Sequence, residues 1–313
     1  MTAIAVTGAS GFIGRHVVAA CTSAHLTVSG FTRSSTDPNL TPLNYLDSDA
    51  AARALEGTEV VIHIAGLAHI SSKSLADPLA AFRTANTQIA TSMAEASARV
   101  GVRRFVLLSS AGVLGEESPP GGFDDSSPAD PYDAYTLSKF EAEQRVLEAA
   151  GGKISVVILR PPMVYGPGAP GSYRRLCAWI DRGWPLPLGS IVARRSFVGV
   201  RNLCSLLLTV AASTKHESNE PPTLLVSDSE ALTVAEFAER IAIARNKRAI
   251  LLPVPRGLLK WMLGRVGLRD EYRRLALPFE LRPSRAREIF GWQPPHSAAE
   301  ELRWALGPRE SAA

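Results

Sequence analysis

The sequence predicts a doubly wound α/β fold, a parallel Rossmann-type sheet covered by helices on both faces, joined to a smaller C-terminal substrate-binding domain. Three observations carry this reading. Short runs of Val, Ile and Leu without polar alternation recur through the first half of the chain, as strands buried on both faces require. Longer helical stretches separate them, the βαβ rhythm that parallel pairing needs. A glycine cluster, Thr7-Gly8-Ala9-Ser10-Gly11-Phe12-Ile13-Gly14, joins the first strand to the first helix.

Taken in order, residues 4–7 read as a strand and 12–23 as a helix after the glycine turn. Residues 26–32 form a second strand, 49–55 a short helix and 60–64 a third strand. One long helix is predicted over 79–100 and closed by Gly101, a residue suited to the left-handed turn after a helix. A strand over 105–109, a helix over 134–150 and a strand over 154–159 complete the alternation. After Arg160 the texture changes. Pro161-Pro162 and the Gly166–Gly171 stretch are loop by composition, and prolines punctuate the last sixty or so residues. The chain therefore divides into a dinucleotide-binding domain over 1–165 and a mainly substrate-binding domain over 166–313, parts of which return to the sheet.

The 313 residues are 46% hydrophobic and 20% charged, enough apolar material for a large core and too little charge for a disordered chain. Thirty-four basic against 30 acidic side chains leave a net charge of +4, too weak a field to point to nucleic acid despite a pI near 9.1. Cys21, Cys177 and Cys204 are far apart, with neither disulfide nor metal spacing, which fits a reducing compartment. No uncharged apolar run reaches the roughly 18 residues of a spanning helix, and the first residues lack a signal peptide's basic region. These features together read as cytoplasmic. Residues 257–268 combine Leu258, Leu259, Trp261, Met262 and Leu263 with Lys260 and Arg265. Their apolar members are expected to face a core, in preference to a membrane surface.

The glycine spacing has a chemical reason. Gly8 can make the tight turn, Gly11 lets a pyrophosphate approach the backbone, and Gly14 lets helix and strand pack closely. The helix N-terminus adds free N–H donors and partial positive charge. At the end of the second strand an NAD-selective site usually carries an acid for the ribose hydroxyls; here Arg33 stands there. A guanidinium pairs well with a 2′-phosphate, so NADP(H) is favoured, with NAD(H) as the alternative and a solvated surface arginine as the bland reading. Arg15 is a candidate helper. Further on, Tyr135 and Lys139 stand four apart at the start of a helix and so share a face. A lysine beside a phenol favours the phenolate and lowers its pKa, which equips Tyr135 for proton exchange with an alcohol oxygen.

With these motifs on the page, the chain resembles the extended short-chain dehydrogenase/reductases of the NAD-dependent epimerase/dehydratase family. The resemblance rests on TGASGFIG (7–14), HIAG (63–66), Asn86 in TANTQIA, SSAGVLG (109–115), YTLSK (135–139) and RPPMVYGPG (160–168). RRSFVGVRNL (194–203) and FGWQPP (290–295) extend it toward the C-terminus. It implies Tyr135 as acid/base, Lys139 as its partner and ribose ligand, and Ser110 as the hydroxyl that orients the reacting oxygen and touches substrate. It also implies a cofactor site built from Gly8, Ser10, Gly11, Phe12, Ile13, Gly14, Arg33, Asn44, Tyr45, Ala65, Gly66, Ala68, Asn86 and Pro162. Arg195 would grip a sugar-nucleotide diphosphate. Ser172, near a family Asn, would also touch substrate, and Arg201 stands near a family Asp, so the substrate contacts at both differ from the family's. His63 is expected to be a buried sheet residue, with His69 flanking the same stretch; no metal is implied.

Within the family, dehydratases follow the catalytic hydroxyl with Asp-Glu, whereas Ala111-Gly112 here cannot move protons. Epimerases usually keep the ribose-binding acid that Arg33 replaces. The segments 184–203 and 251–259 look similar to bacterial UDP-4-keto-6-deoxy-N-acetylhexosamine 4-reductases, which make UDP-FucNAc or UDP-QuiNAc for O-antigen and capsule. The resemblance therefore implies NAD(P)H-dependent reduction of a UDP-linked 4-ketosugar. A UDP-hexose or UDP-N-acetylhexosamine 4-epimerase is the enzymatic alternative, and a dinucleotide-sensing regulator the non-catalytic one. Family members often form homodimers.

Overall fold

A computed structural model describes residues 2–68, 75–214, 221–265 and 269–307. The first half runs β1 (Ala3–Thr7), α1 (Phe12–Ser23), β2 (Thr27–Thr32), β3 (Leu40–Pro42), α2 (Ser48–Ala54) and β4 (Val60–His63). It continues through α3 (Pro78–Phe82), a π-helical turn (Arg83–Gln88), α4 (Ile89–Arg99), β5 (Arg104–Leu108), β6 (Phe123–Asp124), α5 (Ala134–Ala150) and β7 (Ser155–Arg160). The second half comprises β8 (Met163–Tyr165), α6 (Gly171–Asp181), β9 (Arg194–Arg195), β10 (Phe197–Gly199), α7 (Val200–Ala212) and β11 (Thr223–Leu225). Then come β12 (Leu232–Thr233), α8 (Val234–Ala244), α9 (Arg256–Arg265), α10 (Arg269–Ala276), β13 (Leu281–Arg282), α11 (Arg285–Phe290) and α12 (Ala298–Leu306).

Seven strands form one parallel sheet in the order β11-β7-β5-β4-β1-β2-β3. The order reverses between β1 and β4, and the crevice beyond their carboxyl ends is where open α/β sheets bind ligands. One face is closed by α1, α7 and α11 over Ile4, Val6, Val106, Leu203 and Leu207; the other by α2, α4 and α5 over Val61, Phe105, Met93 and Val146. A third core holds the second half together, with Phe197 stacked on Phe237 at 4.3 Å and Tyr165 and Tyr173 beside them. The late strand β11 comes back to pair with β7 at the sheet edge.

Two departures from the predicted elements have physical causes. The helix expected over 79–100 runs without a gap from Pro78 to Arg99, but it carries a π-turn between α3 and α4, where Asn86 bridges two other segments. The strand β3 is unannounced because Leu40-Thr41-Pro42 is a short edge, the position where a sheet tolerates proline. A third expectation fails at α9. Leu259 is buried as expected, but Leu258, Trp261 and Met262 point to solvent, and 266–268 lie outside the described residues. Among the described residues no helix is long and apolar enough to cross a membrane.

Candidate active site

The glycine cradle is built as its spacing predicts. Gly8 has φ +69°, and a Cβ there would sit 2.8 Å from the Ala65 nitrogen, so only glycine fits between β1 and β4. A Cβ on Gly14 would lie 2.1 Å from the Gly8 oxygen and force helix and strand apart. Gly11 caps α1 in extended conformation without a side-chain cap, which leaves the first-turn donors of Phe12, Ile13 and Gly14 for an anion. These features fit a dinucleotide pyrophosphate. Behind the cradle, Thr7 Oγ1 accepts from the backbone N–H of Ile64 (3.1 Å) and Ala65 (3.2 Å), so its own proton goes to His63 Nδ1 at 3.0 Å. His63 is buried, stacked on Phe105, and held down to about pKa 3 by burial and by Lys139. It is a neutral sheet residue. His69 lies outside the described residues.

Side chains around the adenine end divide into scaffold and free groups. Tyr45 is buried, donates to the Phe31 carbonyl (2.7 Å) and accepts from the Gly8 N–H (3.0 Å), so its hydroxyl braces the cradle. The Ser10 hydroxyl is pinned to Thr32 at 2.7 Å, tying the cradle to the end of β2. Asn44 is exposed and accepts from the Leu46 N–H in a local turn. Arg33, by contrast, is exposed with no partner among the described residues, and it lines a small pocket with Tyr45, Ala65, Gly66 and Leu67. Ala68, exposed, continues that rim. Arg15 is not available beside Arg33: it donates to the Pro167 carbonyl at 3.0 Å, as the neighbouring His16 also does.

Tyr135 and Lys139 emerge from the first turns of α5, whose start is fixed by a reciprocal cap between Asp133 and Thr136 and whose end is closed by Gly151 in left-handed conformation. Ser110 follows β5, and its hydroxyl caps a short 3-10 turn by accepting from the Gly112 N–H at 3.1 Å. Pro161 and Pro162 abut this turn, with the Pro161 carbonyl accepting from the Ala111 N–H at 2.8 Å. The electrostatics correct one expectation. The Tyr135 phenol is pushed up to about 12 by burial, and the opposing influence comes from the Ser110 hydroxyl, not from Lys139. The lysine ammonium is turned to the Leu108 carbonyl at 3.0 Å, and burial pulls it down to about 8 while Glu143 pushes back.

Glu143 is a residue that sequence reasoning passed over. It is buried in α5, one turn beyond Lys139, where it accepts from Ser109 Oγ (2.5 Å) and from Arg160 through Nε (2.9 Å) and Nη2 (2.5 Å). The pair locks α5 to the ends of β5 and β7. Its signal was the four-residue spacing that placed Tyr135 and Lys139 on one face, continued once more to 143. Asn86 likewise acts as a brace. It accepts from the Leu67 N–H (2.7 Å) and donates to the Leu67 carbonyl (3.2 Å) and to Ser138 Oγ (2.9 Å). A Cβ on Gly66 would come 2.7 Å from the Asn86 amide oxygen, so the loop after β4 is small for a reason.

On the substrate side, Arg195 is half-buried, donates to the Leu277 carbonyl at 2.6 Å and stacks over Phe279. Burial lowers it to about 10, with Tyr132 pushing back and Arg274 adding to the fall. Tyr132 also acts electrostatically on Tyr135. Glu116 belongs to the same group and pairs with Arg273 of α10. Ser172 is apart from this cluster, exposed in the first turn of α6 and accepting from Arg175 at 3.2 Å. Arg201 is committed to Glu301 (3.1 Å) and to the Trp304 ring, and Arg194 to the Ala231 carbonyl and Glu236. Among the described residues no group of His, Cys, Asp and Glu has the makings of a metal site.

Comparison with known proteins identifies the family. Residues 4–223 match the model of the NAD dependent epimerase/dehydratase family. A UDP-glucose 4-epimerase of Vibrio cholerae is 33% identical over 308 residues, spanning 96% of this chain and 93% of its own. An N-acetyl-alpha-D-glucosaminyl-diphospho-ditrans,octacis-undecaprenol 4-epimerase of Escherichia coli O157:H7 is 23% identical and spans 80% of this chain and 76% of its own. Among solved structures, UDP-N-acetylglucosamine 4-epimerase from Bacillus cereus superposes with a TM-score of 0.79 at 20% identity, over 98% of this chain and 96% of its own. At that identity the likeness speaks for the fold.

Proposed function

Because this chain belongs to the NAD dependent epimerase/dehydratase family of enzymes, we propose that it is a nucleotide-sugar oxidoreductase acting at C4, a reductase of a UDP-linked 4-keto-6-deoxy-N-acetylhexosamine that draws on NADPH. The carrying observation is Arg33: exposed, without a partner among the described residues, at the end of β2 and on the rim of the pocket that Ala65 and Gly66 line. A free guanidinium there suits a 2′-phosphate and lacks the carboxylate that accepts from the ribose hydroxyls of NAD. The turn after Ser110 supports the reading from the other side. Ala111 and Gly112 carry no proton-transfer group, which disfavours water elimination.

When bound, the nicotinamide supplies the hydride that reduces the C4 ketone. Gly8, Gly11 and the first turn of α1 would hold the pyrophosphate, and Lys139 the nicotinamide ribose. At the ketone, Ser110 orients the oxygen by hydrogen bonding. Tyr135 gives its phenolic proton to that oxygen as negative charge develops there. A phenol held near 12 is protonated throughout the working range, as a proton donor in the reducing direction must be. Lys139, charged below about pH 8, stabilises the phenolate left behind. Arg195 would fix the sugar nucleotide through its diphosphate.

The relatives favour a second reading with the same residues, reversible 4-epimerisation of a UDP-hexose or UDP-N-acetylhexosamine, since the Vibrio cholerae and Bacillus cereus proteins carry those names. One experiment separates the two. NADPH and NADH oxidation is followed with enzymatically prepared UDP-4-keto-6-deoxy-N-acetylglucosamine, and UDP-glucose and UDP-N-acetylglucosamine are incubated without reductant, with products read by NMR. Ketosugar-dependent NADPH oxidation, lowered at least about a hundredfold in Tyr135→Phe, is the expected result. Epimerised product without reductant, together with no ketosugar turnover, overturns the reductase reading.

A further inference from the structure

We infer that the outer face of α9, continued by the neighbouring 179–184 and 250–252 segments, is a docking surface for an anionic lipid bilayer. The inference does not rest on which sugar reaction the active site performs. The helix Arg256–Arg265 has two apolar stripes. Leu259 and Leu263, one turn apart, face the core of the second half. Leu258, Trp261 and Met262 follow the same helical spacing on another side and are 49%, 59% and 49% exposed. A helix that only closed a core would need the first stripe and not the second.

The segments 179–184 and 250–252 pack on the same core as α9. Leu186 donates to the Ile250 carbonyl (2.7 Å) and accepts from the Leu252 N–H (2.8 Å), so residues 250–252 lie along the segment that follows Trp184. Leu186 faces inward beside Leu251, and the alternation of an extended chain turns Ile250 and Leu252 outward, where both are exposed. Trp184 is exposed and packs edge-on against exposed Trp179 at 5.6 Å. Exposed apolar groups on this scale mark an interaction site.

The charge around them identifies the partner. Arg256, Lys260 and Arg265 are exposed on α9, which carries no acid, and Arg182 is exposed next to Trp184. Arg265 and Arg182 lie over the Trp261 and Trp184 rings at 5.3 Å each, so the cations sit within the aromatic face. Asp181, the carboxylate adjoining this region, is paired with Arg245 (2.7 Å) and Lys247 (3.5 Å). Aromatic and aliphatic side chains interleaved with cations that have no acidic partner among the described residues match the acyl boundary and phosphate layer of an anionic leaflet. A neutral protein partner would make no use of the cations.

Flotation of the full chain on vesicles tests this. Vesicles of phosphatidylcholine alone are compared with vesicles of phosphatidylcholine and phosphatidylglycerol in equal parts. The protein is expected to float with the anionic vesicles and not with the neutral ones. Leu258→Ser/Trp261→Ser is expected to lower the bound fraction about tenfold or more, and Lys260→Glu several-fold. Both variants should keep the thermal midpoint and soluble turnover of the parent, since these side chains point to water. Absence of flotation, equal binding to neutral vesicles, or unchanged binding by both variants overturns the proposal. So does sedimentation showing a dimer that Leu258→Ser/Trp261→Ser dissociates, because the face would then cover a second copy of the chain.

Discussion

Glu301 should make the protein lose stability as pH rises from about 4.5 to about 7, and Glu301→Gln should remove that loss. The side chain is fully buried on α12, with Oε1 accepting from Arg201 and Oε2 lacking any partner among the described residues. Burial pushes its pKa from 4.5 to about 7, against the opposing pull of Arg201, and Asp228 pushes in the same direction as burial. Between those two values the folded chain keeps a proton that the unfolded chain has released. Stability from this group is therefore present at pH 4.5 and below and falls as pH climbs to 7. At about 1.4 kcal/mol for each tenfold change in proton affinity, the loss has an upper bound of about 3 kcal/mol. Glutamine is neutral at every pH and can still accept from Arg201. Urea unfolding of both proteins at pH 5, 6, 7 and 8 reads the difference. The two should be close at pH 5, with the variant ahead by about 1–3 kcal/mol at pH 8. Parallel curves across the range would refute the reasoning, since Asp228 and the other titrating groups are common to both.

Three further outcomes follow from the active-site geometry. Turnover should fall as pH rises through about 8, where Lys139 loses the proton that burial has already loosened, and Lys139→Arg should move that limb upward in a kcat/KM profile. Gly14→Ala puts a Cβ 2.1 Å from the Gly8 oxygen and should abolish dinucleotide binding in a fluorescence titration, with a stability loss of about 1–3 kcal/mol from overpacking. Arg33→Asp should weaken NADPH about 10–100-fold while sparing or improving NADH; an unchanged ratio of dissociation constants would remove the case for a 2′-phosphate site.

The elements that were legible in the sequence are those whose own residues dictate them. The helix over 134–150 is foreseen to the residue because Asp133 and Gly151 bracket a run of strong helix formers. The cradle is foreseen because two of its three positions, Gly8 and Gly14, admit only glycine. What escaped depends on partners far away in the chain. Asn86 widens its helix because Leu67 and Ser138 need bracing, and the Glu143–Arg160 pair exists only once α5 lies across β7. The direction of the Tyr135 shift was misjudged for the same reason. Spacing puts Lys139 on its face, but the Leu108 carbonyl decides where the ammonium points. At α9, composition supplies the apolar residues and cannot say which of them find a core.

The Pro167 carbonyl that receives both Arg15 and His16 has a mechanical consequence. It rivets the helix beneath the cofactor cradle to the loop that leads into α6, and it does so through main chain, so the side chain at 167 is immaterial. The neighbour is not: a Cβ on Gly168 would lie 1.8 Å from the Arg15 guanidinium. The helix that opens the cradle and the loop into α6 are therefore tied main chain to side chain, so a displacement of that loop is passed directly to the glycine turn.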